Sequence, residues 1–286
     1  MYKIKFYSFL IVIGITFFSC SKKDFEADIP AYISIDKFIL TTDYITQGSA
    51  SENITDAWVF VNDDLVGVFE LPAKFPVLKE GNVTVKVYAG IKENGIAANR
   101  KRYLGYSPHI ELVNLEKDKE ITIEPSITYE PTIQFAWLED FENTSLTFLY
   151  HANSDTVIKK STEDVKEGNY SGHIFLDPGM TFFEASSIPL PGVPLNGSSP
   201  VYLELDFKTN EPITIGVYLD ANQYAFFTLN TSSNWTKTYI NLADVISENN
   251  IGASELKVFF GMQESGLNPF VTNPEVFIDN LKVIHF

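Results

Sequence analysis

From residue 29 onward, apolar residues recur at every second position, in short runs rich in Val, Ile, Phe, Tyr and Thr that Gly, Pro, Asn and Asp interrupt. A period of two places the apolar side chains of a run on one face of a pleated strand, and a helix with a period near 3.6 cannot use that pattern. The chain is therefore expected to be all-β. Strands are predicted at residues 32–40, 57–61, 65–70, 82–89, 107–113 and 120–127, with Asn62-Asp63-Asp64 as a hairpin turn because Asn and Asp tolerate left-handed backbone. Pro125 and Pro131 then break the rhythm, and a second series follows at 135–142, 171–176, 201–209, 213–220, 225–229, 236–241, 255–262 and 275–284. Residues 186–200 carry four prolines and two glycines and read as a long surface loop, while 242–248 is a short helix-like segment. The spacing predicts two antiparallel β-sandwiches, the first over 29–128, a linker over 129–136, and the second, a jelly roll, over 137–286.

Composition narrows the function classes. The formal net charge of −16 repels phosphate backbones, and Arg100 and Arg102 are the only arginines, so nucleic acid is not an expected partner. Apolar residues make up 45% of the chain, enough for real cores. With one cysteine no intrachain disulfide can form, and stability must come from buried surface.

That cysteine has a defined setting. Lys3 and Lys5 precede an apolar run over 6–18, too short to span a bilayer comfortably, and Ser19-Cys20 closes it. The Phe17-Phe18-Ser19-Cys20 ending resembles a bacterial lipobox. The resemblance implies a lipoprotein signal peptide over 1–19, lipidation of Cys20 by diacylglyceryl and palmitate-type chains, and a polar tether over 20–28. A plain secretory leader is the alternative. Several acyl chains make attachment effectively permanent, so the expected location is the outer membrane, lipid-anchored, on its periplasmic or extracellular face.

Two further resemblances concern the β segments. Residues 58–67, Leu71-Pro72 and 81–88 are similar to immunoglobulin-like and PEGA-type surface modules. Glu139-Asp140-Phe141-Glu142, the Glu167 to Gly172 segment, the Trp235 to Leu242 segment and the Val276 to Val283 segment together resemble galactose-binding-like jelly rolls of carbohydrate-binding modules, in that family's order. The second resemblance implies a structural calcium held by Glu142 and Asp279, with Asp140 in reserve. The bland reading is a turn cap at Asp279 and a solvated Glu142.

Period-two bookkeeping also marks a ligand face. It sends Val201, Leu203, Leu205 and Phe207 inward and leaves Tyr202, Glu204 and Asp206 opposite; on later runs Tyr218, Phe226 and Phe259 also fall on the non-core side, and all share one face if those strands are neighbours. Rings with carboxylates and amides are the chemistry that pyranoses need, since sugar C–H faces stack on aromatics while hydroxyls take polar partners. The same rings would equally serve under the 186–200 loop or in a contact between the two sandwiches. Trp58, Trp137 and Trp235 read as packing residues. No His-Glu-x-x-His or Gly-x-Ser-x-Gly motif occurs, and His109, His151, His173 and His285 are scattered, so catalysis is not expected. The resulting expectation is a lipid-anchored envelope protein that binds a glycan without catalysis. The alternatives are an adaptor that binds an envelope protein and, less favoured, a glycoside hydrolase.

Overall fold

The computed structural model describes residues 28–286 apart from 198, 251, 265–268 and 271–272. The signal segment and Cys20 lie outside the described residues. Among those described, no helix is long and apolar enough to cross a membrane.

The all-β expectation is met by two layered sandwiches, each around its own apolar core, with one layer of the first divided into a three-stranded and a two-stranded sheet. In the first, Ala31–Ile35 pairs antiparallel with Ala73–Val77 and parallel with Glu120–Thr122, and Ile39–Leu40 pairs parallel with Ser126–Ile127. These parallel pairs depart from a purely antiparallel sandwich. The opposing sheet sets Asp56–Val61 between Asp64–Glu70 and Gly81–Lys92, whose other edge carries Arg100–Arg102 and His109–Leu115. Ile33, Ile35, Val59, Val61, Val85 and Val87 fill the space between, as alternation requires. The turn forms at the predicted place: Asn62 and Asp63 sit at φ 51° and 67°, and the Asn62 side chain accepts the Thr84 N–H at 2.9 Å.

In the second sandwich, one sheet runs in the order Lys159–Ser161, Ser171–Phe175, Glu275–His285, Val201–Thr209, Ser232–Asn241, with Gln134–Glu139 also paired to Glu275–His285. The other runs Phe148–Tyr150, Phe182–Ser187, Leu256–Gln263, Ile213–Leu219, Asn222–Leu229. Leu203, Leu205, Ile215, Val217, Val258, Phe260, Ile278 and Val283 interdigitate between them. Phe182–Ser187 was not predicted. Its Phe-Phe-Glu-Ala-Ser-Ser sequence lacks alternation because the strand is buried on both faces, and it takes the start of the expected 186–200 loop into the sheet.

A tight bend after Gln134–Glu139 sets the edge of this sandwich. Glu139 is buried and accepts the Phe141 N–H at 3.1 Å and, on its other oxygen, the Thr147 N–H and hydroxyl at 2.8 and 2.6 Å. That holds Phe141 at φ 60°, an unusual backbone for a bulky residue, and its ring fills the space that a side chain at Gly172 would need.

Candidate ligand-binding face

The outer face of the six-stranded sheet is closed where Tyr202, Glu204 and Asp206 lie and open at its other end, around Phe277. Tyr202, Glu204 and Asp206 are all buried there, because the first sandwich packs onto them. Tyr103 and Tyr129 donate to the two oxygens of Glu204, the latter at 2.8 Å, and Tyr202 donates to Glu93 at 2.8 Å. Ser51 donates to Asp206 at 2.9 Å, and the Asn53 N–H to the Tyr239 hydroxyl at 3.0 Å. The rings of Tyr103, Tyr106, Tyr202 and Tyr239 pack edge to face or tilted around this centre.

Two lysines enter the same buried layer. Lys282 donates to the Tyr129 hydroxyl at 3.1 Å and to the Ser49 carbonyl. The Lys237 ammonium makes no hydrogen bond and stands 3.7 Å from Glu204 and 4.0 Å from Asp206. Burial pulls the Lys282 ammonium down to about 7 and pushes the neighbouring Asp279 carboxyl up to about 7, partly opposed in each case by partners of the charged form. Tyr202, Glu204 and Asp206 therefore join the two sandwiches and are unavailable to an external ligand.

The outer face of the second sandwich's five-stranded sheet differs. Tyr218 pairs with Lys257 on one neighbour and Gln223 on the other. Its ring lies 5.4 Å from that of Phe259 at 59°, and the Lys257 ammonium sits 5.2 Å above it. The Tyr218 hydroxyl donates to one oxygen of Glu184, and Gln223 donates to the other at 2.7 Å. Burial, then the Glu184 bond and charge, raise the Tyr218 hydroxyl above its ordinary range, so it stays protonated and a donor. Phe259 itself is 2% exposed: it lies flat where a side chain at Gly216 would be, and works as the floor beneath Tyr218.

Phe226 falls off this face. A bulge between Ile215 and Gly216 shifts the register of Asn222–Leu229, so Ala225 pairs with Gly216 while Phe226 packs against the core rim beside Phe227. One extra residue inverts a period-two assignment, which is why Tyr224 also turns toward the core. Sequence reasoning missed Glu184, Gln223 and Lys257. Gly216, inside an otherwise apolar strand, was the signal that a ring passes close to the backbone there.

Glu142 and Asp279 both serve the segment joining Lys159–Ser161 to Ser171–Phe175. Glu142 accepts the Asn169 and Tyr170 N–H groups at 2.7 and 2.9 Å and the Asn169 side-chain amide at 3.1 Å. Asp279 accepts the Glu167 and Asn280 N–H groups at 3.2 and 2.8 Å. Calcium takes six to eight oxygens, and these carboxylates instead meet N–H donors. As arranged they tie down the segment themselves and do not fit a calcium cage.

No protein-family model matches the sequence, and no curated protein matches it. Solved structures do. The xylan-binding domain of a family 22 carbohydrate-binding module is 12% identical, with a TM-score of 0.35 over 52% of this chain and 93% of that one. A family 29 carbohydrate-binding module complexed with mannohexaose is 11% identical, with a TM-score of 0.34 over 54% of this chain and 91% of that one. An exo-beta-agarase is 12% identical, with a TM-score of 0.36 over 51% of this chain and 24% of that one.

Proposed function

We propose that this protein is a lipid-anchored envelope protein that binds a glycan on the outer face of the second sandwich's five-stranded sheet, without catalysis. One observation carries the reading: the half-buried Tyr218 ring is framed by a carboxylate, an amide and an ammonium, from Glu184, Gln223 and Lys257. A sugar ring can lay its C–H face on such a ring when the long Lys257 side chain swings from above it to the rim, where its ammonium and the Gln223 amide meet the sugar's hydroxyls. The Glu184 bonds hold Tyr218 and Gln223 in place before a ligand arrives, which lowers the ordering cost of binding. Anchoring through Cys20 rests on the Phe17-Phe18-Ser19-Cys20 pattern and would fix the protein to the outer membrane.

Isothermal titration of residues 28–286 against a panel of soluble glycans tests the reading. Saturable heat with at least one glycan, lost in Tyr218→Ala, is expected. Absence of heat with every glycan, or an unchanged titration for Tyr218→Ala, would end it.

A second reading has its own observation. On the first sandwich, Leu65, Val68, Ile110 and Leu112 are 54%, 41%, 57% and 70% exposed on one sheet face that also carries Phe60 and Tyr88. Such an apolar surface suits a protein partner. An envelope protein crosslinked to the wild type but not to Leu112→Asp, with glycan binding intact, would favour the adaptor role.

A further inference from the structure

The four histidines are dispersed in the sequence, yet the fold brings one of them between two carboxylates. His173 stands opposite Phe277 in the ladder and lies flat on its ring, with centroids 4.4 Å apart and planes within 3°. That stack fixes the imidazole plane, so both ring nitrogens point along the sheet surface. Nε2 meets Glu275 at 3.0 Å and Nδ1 meets Glu163 at 3.8 Å. One ligand atom from each of the three residues falls within 4.8 Å of the others.

We propose that Glu163, His173 and Glu275 form a binding site for a divalent transition ion of the Zn²⁺ class. Two ligands on a tetrahedral centre with bonds of about 2.0–2.1 Å stand about 3.4 Å apart, close to the His173–Glu275 spacing already in place. Glu163 supplies the third ligand. Its side chain is 70% exposed, so rotation about its own bonds brings the carboxylate onto the ion without moving the backbone. One imidazole with two carboxylates is a borderline donor set, better matched to Zn²⁺ or Co²⁺ than to Ca²⁺ or Mg²⁺, which take oxygens alone. Of the lysines beside the site, Lys208, opposite Phe277, is paired with Asp164, and Lys159, opposite His173, is exposed to solvent.

The position is accessible. Glu275 lines a cleft of about 500 Å³ with Lys208, Asn210 and Phe277, and His173 lines another of about 380 Å³. Three protein ligands leave a fourth coordination position for water or for an oxygen of a bound molecule. This site is separate from the Tyr218 face and does not depend on the glycan reading.

Zn²⁺ titration of the chain lacking the leader, followed by Co²⁺ visible absorption, tests the proposal. One saturable Zn²⁺ site is expected, together with the absorption bands of a four-coordinate Co²⁺ imidazole complex. His173→Phe keeps a ring on Phe277 and removes both nitrogens, and should abolish the site. Glu275→Gln replaces a carboxylate ligand by a neutral amide and should weaken it by at least the roughly tenfold that loss of an outer-shell partner costs. No saturable binding by the wild type overturns the proposal, as does undiminished binding in His173→Phe. Binding that disappears in His173→Phe yet is unchanged in both Glu275→Gln and Glu163→Gln overturns it too, since a lone imidazole is then the ligand. Should His173→Phe fail to fold, the two glutamine variants decide between the same outcomes.

Discussion

Replacing Glu204 by Ala should cost more than any single exposed substitution in this protein. Glu204 is fully buried and accepts from the Tyr103 and Tyr129 hydroxyls, with Lys237 at 3.7 Å. Removing the carboxylate strands two buried phenolic donors, each worth about 1–3 kcal/mol of uncompensated desolvation. It also leaves the Lys237 ammonium, which has no hydrogen bond, with Asp206 at 4.0 Å as its remaining ion-pair partner. Breaking one side of a buried ion cluster costs about 3–5 kcal/mol, and that is the expected loss in urea unfolding followed by tryptophan fluorescence. Glu204→Gln keeps one carbonyl acceptor and the side-chain shape, so it should fall between Ala and wild type. In a cycle with Tyr103→Phe the two effects should be non-additive by at least about 0.5 kcal/mol, because the residues share one bond. A loss below about 1 kcal/mol for Glu204→Ala would refute the reasoning, since a solvated or hinged contact would let water take over both hydroxyls.

Two shorter expectations accompany it. Burial raises Asp279 to about 7 in the folded protein, above its ordinary value of 3.8, so the folded state binds the proton more tightly than the unfolded chain. Stability from this group is full below the ordinary value and falls as pH rises through 7; Asp279→Asn should gain relative to wild type across that window when urea midpoints are compared at several pH values. An acid-to-neutral profile that is parallel in the two proteins would contradict this. Because Glu142 and Asp279 are satisfied by N–H donors, calcium or a chelator should leave the melting temperature unchanged, and a clear rise with calcium would show that the carboxylates rearrange around the ion.

Where the chain alternates cleanly, its sheets were legible. Gly81–Lys92 buries every second residue along its first turns of the pleat, and Asn62-Asp63 makes the turn that its residue types demand. The candidate face was only half legible, for a physical reason. Tyr202, Glu204 and Asp206 alternate with apolar residues just as a solvent-facing row would, and a hydroxyl or carboxylate fits either water or a fully paired buried network. Only the partner sandwich, distant in sequence, decides between them: the Tyr103 to Glu204 bond spans 101 residues. Phe226 was misassigned because no residue type announces the bulge beside Gly216. Tyr218 and Phe259 do lie on one outer face, but the acid that positions Tyr218 comes from Phe182–Ser187, a strand with no alternation to reveal it.

The most direct test of where this protein meets its ligand is hydroxyl-radical footprinting of the chain with and without a binding glycan. The account expects Tyr218 to become protected from oxidation while Ile110 and Leu112 stay unchanged. Protection confined to Ile110 and Leu112, with Tyr218 oxidised as before, would place the contact on the first sandwich and contradict it.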